Sequence, residues 1–216
     1  MVLKEIEERF SVRAFADKKI PDEVLKEILE AGRLAPSWVN TQPWHFLVVK
    51  SQQNKALLSQ VALGQPHVEK ADAIIVICGD KSAMDTESFR KILSSRPSIT
   101  EDRINLLVNN DGFNPSLKGN SALNLRVLEE VTYATAYMTL EAQRHGVGTC
   151  VVGFIANALT GAAPEVYQLA RKTFNLPESV EIMSLLILGY PDESAEKQPK
   201  IRKSFDEVVS YETYGW

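Results

Sequence analysis

Ala73, Ile74, Ile75, Val76, Ile77 and Cys78 make six consecutive apolar residues, and no other feature constrains the fold as tightly. The run is far shorter than the roughly 20 residues that a membrane-spanning helix needs. Apolar on both faces, it is expected as a central strand, because an edge or half-solvated strand alternates with polar residues. A second apolar run, at residues 185–188, is shorter still.

Around this strand the spacing predicts further elements. Leu3 and Ile6 suggest a helix over residues 2–9. Pro21 suits a first helical position, Asp22 and Glu23 complement the positive helix start, and Val24, Leu25, Ile28, Leu29 and Gly32 share one face before Pro36 ends the run. A short strand covers 46–49. Ser51 is placed to cap the next helix, which carries Leu57, Leu58 and Val61. A long helix over 127–145 turns Val131, Ala134, Met138 and Ala142 inward, with Gly146 just past its end. Strands at 149–152 and within 180–189 enclose a helix begun by Pro164 and Glu165, with Val166, Leu169 and Ala170 inward. Strands and helices do not alternate steadily, so the expected class is α+β: a small mixed β-sheet flanked by helices, in one domain over residues 1–216.

Two regions resist this pattern. Residues 82–126 mix charge with Pro97, Pro115 and an Asn/Gly cluster at 109–114. A loop of that length inside a compact domain is more often functional than idle, so a lid or insert is expected there. The tail at 193–216 is polar and then aromatic, at Phe205, Tyr211, Tyr214 and Trp216. Aromatics on a chain end predict docking, onto a second subunit of the same chain.

The net charge of −4 gives no reason to expect nucleic acid or an anionic membrane as a partner. Glu5, Glu7 and Glu8 fall where a signal peptide would be apolar. Cys78 and Cys150 stand singly in apolar runs and suggest buried free thiols in a reducing, cytoplasmic setting. His45, His67 and His145 are scattered, so no metal site is expected.

Four segments could carry chemistry. Arg9-Phe10-Ser11-Val12-Arg13 offers two guanidinium forks and a hydroxyl, suited to a phosphate or a heterocycle edge, or else a solvated basic turn balanced by Glu7 and Glu8. Ala35-Pro36-Ser37-Trp38-Val39-Asn40-Thr41-Gln42-Pro43-Trp44 is a stiffened loop whose amides could pair with a flavin or base edge, while Trp44 by itself suits the core. In the segment 146–154, glycines bracket a strand, which allows close backbone approach to a ligand or simply a helix cap. Pro199-Lys200-Ile201-Arg202-Lys203 could grip a phosphate or remain a solvated patch. P-loop, GxSxG, HExxH and paired-carboxylate signatures are missing, so any reaction would rest on a cofactor.

In this order and spacing, the RxSxR near residue 10, the APSxxNxQPW at 35–44, and the late LGYP followed by KxR resemble the flavin-dependent nitroreductase family. The match spans about residues 4–204. It implies a homodimer with two FMN sites at the subunit interface, reduced by NADH or NADPH, with nitroaromatics, quinones or free flavin as small-molecule electron acceptors in ping-pong kinetics. By that likeness Arg9, Phe10, Ser11 and Arg13 contact FMN from one subunit, Arg9 at the phosphate and Arg13 near the N1–C2 carbonyl edge, where a cation favours the reduced ring. Pro36, Ser37, Trp38 and Asn40 come from the other subunit, with Gln42 nearby. Cys150, Val151, Val152 and Gly153 pass close to the ring, and Lys200 and Arg202 close on the phosphate. Either Gln65 or His67 serves where the family places an amide or basic residue. Trp38, bulkier than the small residue common at its position, narrows the pocket. The same scaffold also supports reductive dehalogenation, flavin fragmentation, or flavin binding without turnover.

Overall fold

The computed structural model describes residues 2–197 and 199–214. Its helices are α1 (Lys4–Glu8), α2 (Asp22–Arg33), α3 (Gln52–Val61), α4 (Pro66–Lys70), α5 (Thr86–Ser94), α6 (Glu101–Val108), α7 (Asn120–Arg144) and α8 (Pro164–Thr173). Its strands are β1 (Trp44–Val49), β2 (Ala73–Asp80), β3 (Gly148–Val152) and β4 (Val180–Gly189), ordered β1-β2-β4-β3 in one sheet.

The apolar run at 73–78 is central, as its composition demands, and alternation along it divides the core. Ile75 and Ile77 face α2 and α7, where they meet Leu25, Ile28, Val131 and Met138. Ile74, Val76 and Cys78 face the other way, toward Leu58 and Val61 of α3 and Ala170 of α8. Leu186 and Leu188 against Leu185 and Ile187 repeat the division on β4. Each such side chain, fully buried, contributes ~1.5–3 kcal/mol.

The α+β class stands, but the expected mixed sheet is corrected: every strand pairing is antiparallel. β2 and β3 run the same way, yet β4 lies between them and opposes both. Parallel pairing among the described residues is confined to one isolated bridge, Ser11 with Thr149.

Three local expectations also change. Ser51 stands at the N-cap of α3 but makes no side-chain capping bond. Leu169 is 52% exposed, because the buried stripe of α8 runs through Tyr167 and Ala170, three apart, and Leu169 lies off that line. The 82–126 region is largely helical. It contains a 3-10 turn at Lys81–Met84, α5, α6, a second turn at Pro115–Lys118, and the first residues of α7, which begins at Asn120 rather than at 127.

These short helices are held by local caps that hide among turn-forming residues. Asp85 accepts from the Ser88 N–H at 2.7 Å, and Thr100 accepts from that of Arg103 at 3.4 Å. Asn114, fully buried, donates to Val108 O at 2.7 Å and Thr86 Oγ1 at 3.0 Å. Phe89, Leu93, Ile104 and Val108 then form a small core of their own, against which Trp38 and Val39 pack. α7 ends as its sequence requires, with Gly146 at φ +68°, a left-handed conformation that costs glycine little.

Candidate active site

The exposed margin of β3 organises the site. The N–H of Val12 donates to Thr149 O at 2.9 Å, and Ser11 bridges the same residue. Val12 is buried over Gly148, where a Cβ would lie 2.5 Å from Val12 Cγ2, so only glycine permits this approach. Arg9, Phe10, Ser11 and Arg13 are thereby strapped alongside Cys150, Val151, Val152 and Gly153. Burial pushes the Cys150 thiol pKa up; the Arg13 cation, a hydrogen bond with Ser11 and the Arg9 cation oppose it. Cys150 and Val152 bury their side chains in the core, which leaves their backbone, exposed Val151 and Gly153 to face outward.

The distant 199–203 segment arrives at the same place. Lys200 Nζ donates to Ile6 O at 3.2 Å and to Glu7 O, which ties the tail to α1. Desolvation, then the Arg9, Lys197 and Arg202 cations, hold the Lys200 pKa below the ordinary lysine value. Arg202 donates to its own neighbour, Ile201 O, at 2.9 Å. Cations crowded this way repel one another, an effect that Glu7 partly offsets and a bound anion would relieve.

Among the described residues, two buried polar atoms at this site have no hydrogen-bond partner: Arg9 Nε and His67 Nε2. Buried polar groups are almost always satisfied, so such atoms mark places where a ligand completes the structure. Burial, and then the nearby Arg13 cation, lower the pKa of His67. Gln65 spends its amide differently, donating to Ala62 O at 3.0 Å and Phe154 O at 3.1 Å, so both its N–H groups are taken. Beside Arg9 opens a cavity of about 530 Å³, walled by Val151, Gly153, Ser184 and the outer face of α7 at Leu128, Thr132 and Thr139.

The 36–42 loop sits elsewhere. Among the described residues no hydrogen bond, ion pair or ring contact joins it to the 9–13 segment. The Trp38 ring packs at a tilt against Phe89 of α5, centroids 5.1 Å apart, and Arg126 of α7 lies 5.6 Å from its ring. The Trp38 N–H donates to Glu130 Oε2 at 2.8 Å, and Arg96 Nη2 donates to Val39 O at 2.8 Å. Inside the loop, Ser37 Oγ accepts from the Gln42 N–H at 3.0 Å, and Gln42 Nε2 donates to Asn40 Oδ1 at 3.2 Å. Val39, Asn40 and Gln42 have φ of +47°, +66° and +46°, each costing of order 1–3 kcal/mol. Pro36 is exposed, and Thr41 Oγ1 is buried without a hydrogen-bond partner among the described residues.

Residues 6–190 match the model of the Nitroreductase family. The chain belongs to that family. An FMN reductase [NAD(P)H] of Bacillus subtilis is 26% identical over 213 residues, covering 99% of this chain and 74% of that protein. An oxygen-insensitive NADPH nitroreductase of Helicobacter acinonychis is 31% identical over 157 residues, 68% of this chain and 71% of that one. The crystal structure of a nitroreductase-like protein from Streptococcus mutans superposes with a TM-score of 0.75 at 22% identity, over 95% of each chain, and so shares the fold.

A nitroreductase-family chain calls for a bound flavin mononucleotide, and the residues present fit one. The crowded cations, with the orphaned Arg9 nitrogen among them, suit its phosphate, the orphaned His67 nitrogen suits a polar edge, and the apolar cavity suits a flat ring. Sequence reasoning missed Lys197, which joins the cation cluster, and the α7 residues that wall the cavity. Small and hydroxylated residues at helical spacing (Thr132, Thr135, Ala136, Thr139) were the available signal for the latter. Glu130 and Arg96 had none, because their partners lie 92 and 57 residues away in sequence.

Proposed function

We propose that this chain is an FMN-dependent NAD(P)H oxidoreductase of the nitroreductase type, built as a homodimer. The observation that carries this reading is the pair of unpartnered nitrogens, Arg9 Nε and His67 Nε2, set among Arg13, Lys200 and Arg202 beside β3. FMN, when bound, supplies two-electron hydride chemistry between a nicotinamide and an acceptor. Arg9, Lys200 and Arg202 hold the phosphate. Arg13, Ser11 and the backbone of Cys150, Val151, Val152 and Gly153 line the ring, and Arg13 places a fixed cation where negative charge gathers on reduction. His67 rather than Gln65 takes the remaining polar contact, since the Gln65 amide donors are already committed.

The second subunit supplies Pro36, Ser37, Trp38, Asn40 and Gln42. Among the described residues of one chain no hydrogen bond, ion pair or ring contact joins this loop to the 9–13 segment, and exposed Leu128 of α7, Val151 of β3 and Phe154 just after β3 would be covered by a second copy. The exposed aromatics of the tail, Phe205, Tyr211 and Tyr214, dock on that partner; Trp216 lies outside the described residues. The 82–126 region roofs the acceptor site through Phe113 and Arg126, which with Trp38 line a further cavity of about 310 Å³. NAD(P)H and the acceptor (a nitroaromatic, a quinone or free flavin) use one slot in turn, which gives ping-pong kinetics, and solvent provides protons. Among the described residues no helix is long and apolar enough to cross a membrane. The two free, buried thiols suit a reducing, cytoplasmic setting.

The test is an absorption spectrum of the purified protein before and after anaerobic NAD(P)H. A yellow protein bleached by the nicotinamide is expected. Colour without bleaching leaves a flavin-binding protein only, and a colourless protein that refuses added FMN refutes the reading outright.

A further inference from the structure

The 36–42 loop holds three non-glycine residues in the left-handed region within four positions, one of them β-branched Val39. Such a conformation persists only where its surroundings over-determine it. Two contacts from outside the loop act on the peptide groups that precede Trp38 and follow Val39, with one peptide between them. Glu130, on α7 and 1% exposed, accepts the N–H of Trp38, and Arg96, just past α5, donates to the carbonyl of Val39. Phe89 and Arg126 close on the indole between them. A buried carboxylate and a guanidinium thus grip the backbone on either side of the strained residue. Neither side chain is part of the loop or of the cation cluster.

We propose that Glu130 and Arg96 are positioning residues that clamp the 37–42 loop in the conformation its cofactor contacts require. The clamp rests on the reading of that loop as part of the flavin site. It assigns the 82–126 region a second role beyond roofing the acceptor: α5 and the turn after it brace the flavin-facing loop. Both contacts go to the backbone, so this part of the loop's restraint does not depend on which side chains it displays.

The experiment measures FMN affinity of the apo dimer by quenching of flavin fluorescence, together with tryptophan emission and thermal unfolding. Arg96→Met and Glu130→Leu are expected to weaken FMN about tenfold each, the scale of one lost charge-assisted hydrogen bond, and to shift tryptophan emission. Glu130→Gln keeps an acceptor oxygen and is expected to stay within about threefold of the parent. Wild-type affinity and emission in folded Arg96→Met overturn the clamp, and Glu130→Gln as weak as Glu130→Leu overturns its hydrogen-bond basis. Should Glu130→Leu fail to fold, half-buried Arg96 still carries the test. Asn40→Asp separates the two readings: Asp tolerates left-handed backbone and places a charge where the flavin is assigned. An Asn40→Asp protein that binds FMN normally refutes the loop's place in the site. One that binds weakly while Arg96→Met binds normally refutes the clamp alone.

Discussion

The N–H of Val12 donates to the carbonyl of Thr149 at 2.9 Å, and this bond lays the arginine-bearing 9–13 segment against β3. The contact joins residues 137 positions apart and depends on a glycine between them in space. Arg9 and Arg13 owe their position near Cys150 to it, because nothing local would fix an exposed basic turn.

Gly148→Ala tests that dependence. The new Cβ would meet Val12 Cγ2 at 2.5 Å and Pro191 Cγ at 3.1 Å, so either β3 or the 9–13 strap must shift. Overpacking of this kind costs ~1–3 kcal/mol. Urea denaturation is expected to register that loss, and FMN titration a weaker complex. An alanine protein with parental affinity would show that the strap is dispensable.

Arg13→Ala addresses the redox role. FMN is expected to remain bound, held by Arg9, Lys200 and Arg202, while the flavin reduction potential falls and hydride transfer slows roughly a hundredfold. Stopped-flow bleaching and a potentiometric titration measure both. Unchanged values in the variant would remove Arg13 from the chemistry.

His67 predicts a pH dependence. Burial, then Arg13, hold its folded pKa below the ordinary value of 6.5. Between 6.5 and the folded pKa the unfolded chain binds a proton that the folded chain refuses. Stability therefore declines as pH falls through that window and levels off beneath it. Urea midpoints from pH 7 down to pH 4 should decline less steeply in His67→Gln than in the parent; parallel curves would show that His67 does not titrate differently on folding.

On the α8 side of the sheet, the Tyr167 hydroxyl donates to Glu181 Oε2, with Arg171 at 3.5 Å and Lys81 at 3.6 Å from the same carboxylate. Burial, and then Glu181, push the Tyr167 pKa up to about 12. Glu181→Leu removes the carboxylate partner of Lys81 and of the Tyr167 phenol, while Arg171 keeps its bonds to Val180 O and Pro177 O, and a loss of ~3–5 kcal/mol is expected. Tyr167→Phe leaves the ion pairs intact and is expected to cost only about 1–3 kcal/mol. Thermal unfolding gives the order, and FMN affinity should be parental in both; equal losses would mean the ion pairs contribute nothing.

Secondary structure was legible wherever burial imposed a period. The 73–78 run announced a central strand because both its faces are covered, and Val131, Ala134, Met138 and Ala142 announced α7 because one stripe of a long helix must be apolar. The 82–126 helices were illegible: α5 and α6 span only two turns or so, and Asn114, which looks like loop composition, is a buried structural amide.

The sequence by itself determined the α+β class, the strands, the long helix and, through the RxSxR and APSxxNxQPW segments, the family. Only the tertiary structure decided that the sheet is antiparallel, that His67 lies near Arg13 and Lys200 near Arg9, that the Gln65 amide N–H groups bond to Ala62 and Phe154, and that Glu130 and Arg96 hold Trp38 and Val39. The physical reason is range. Periodicity and caps are set by neighbours a few residues apart, whereas a buried charge or an orphaned donor is defined by whatever the fold brings against it from far along the chain.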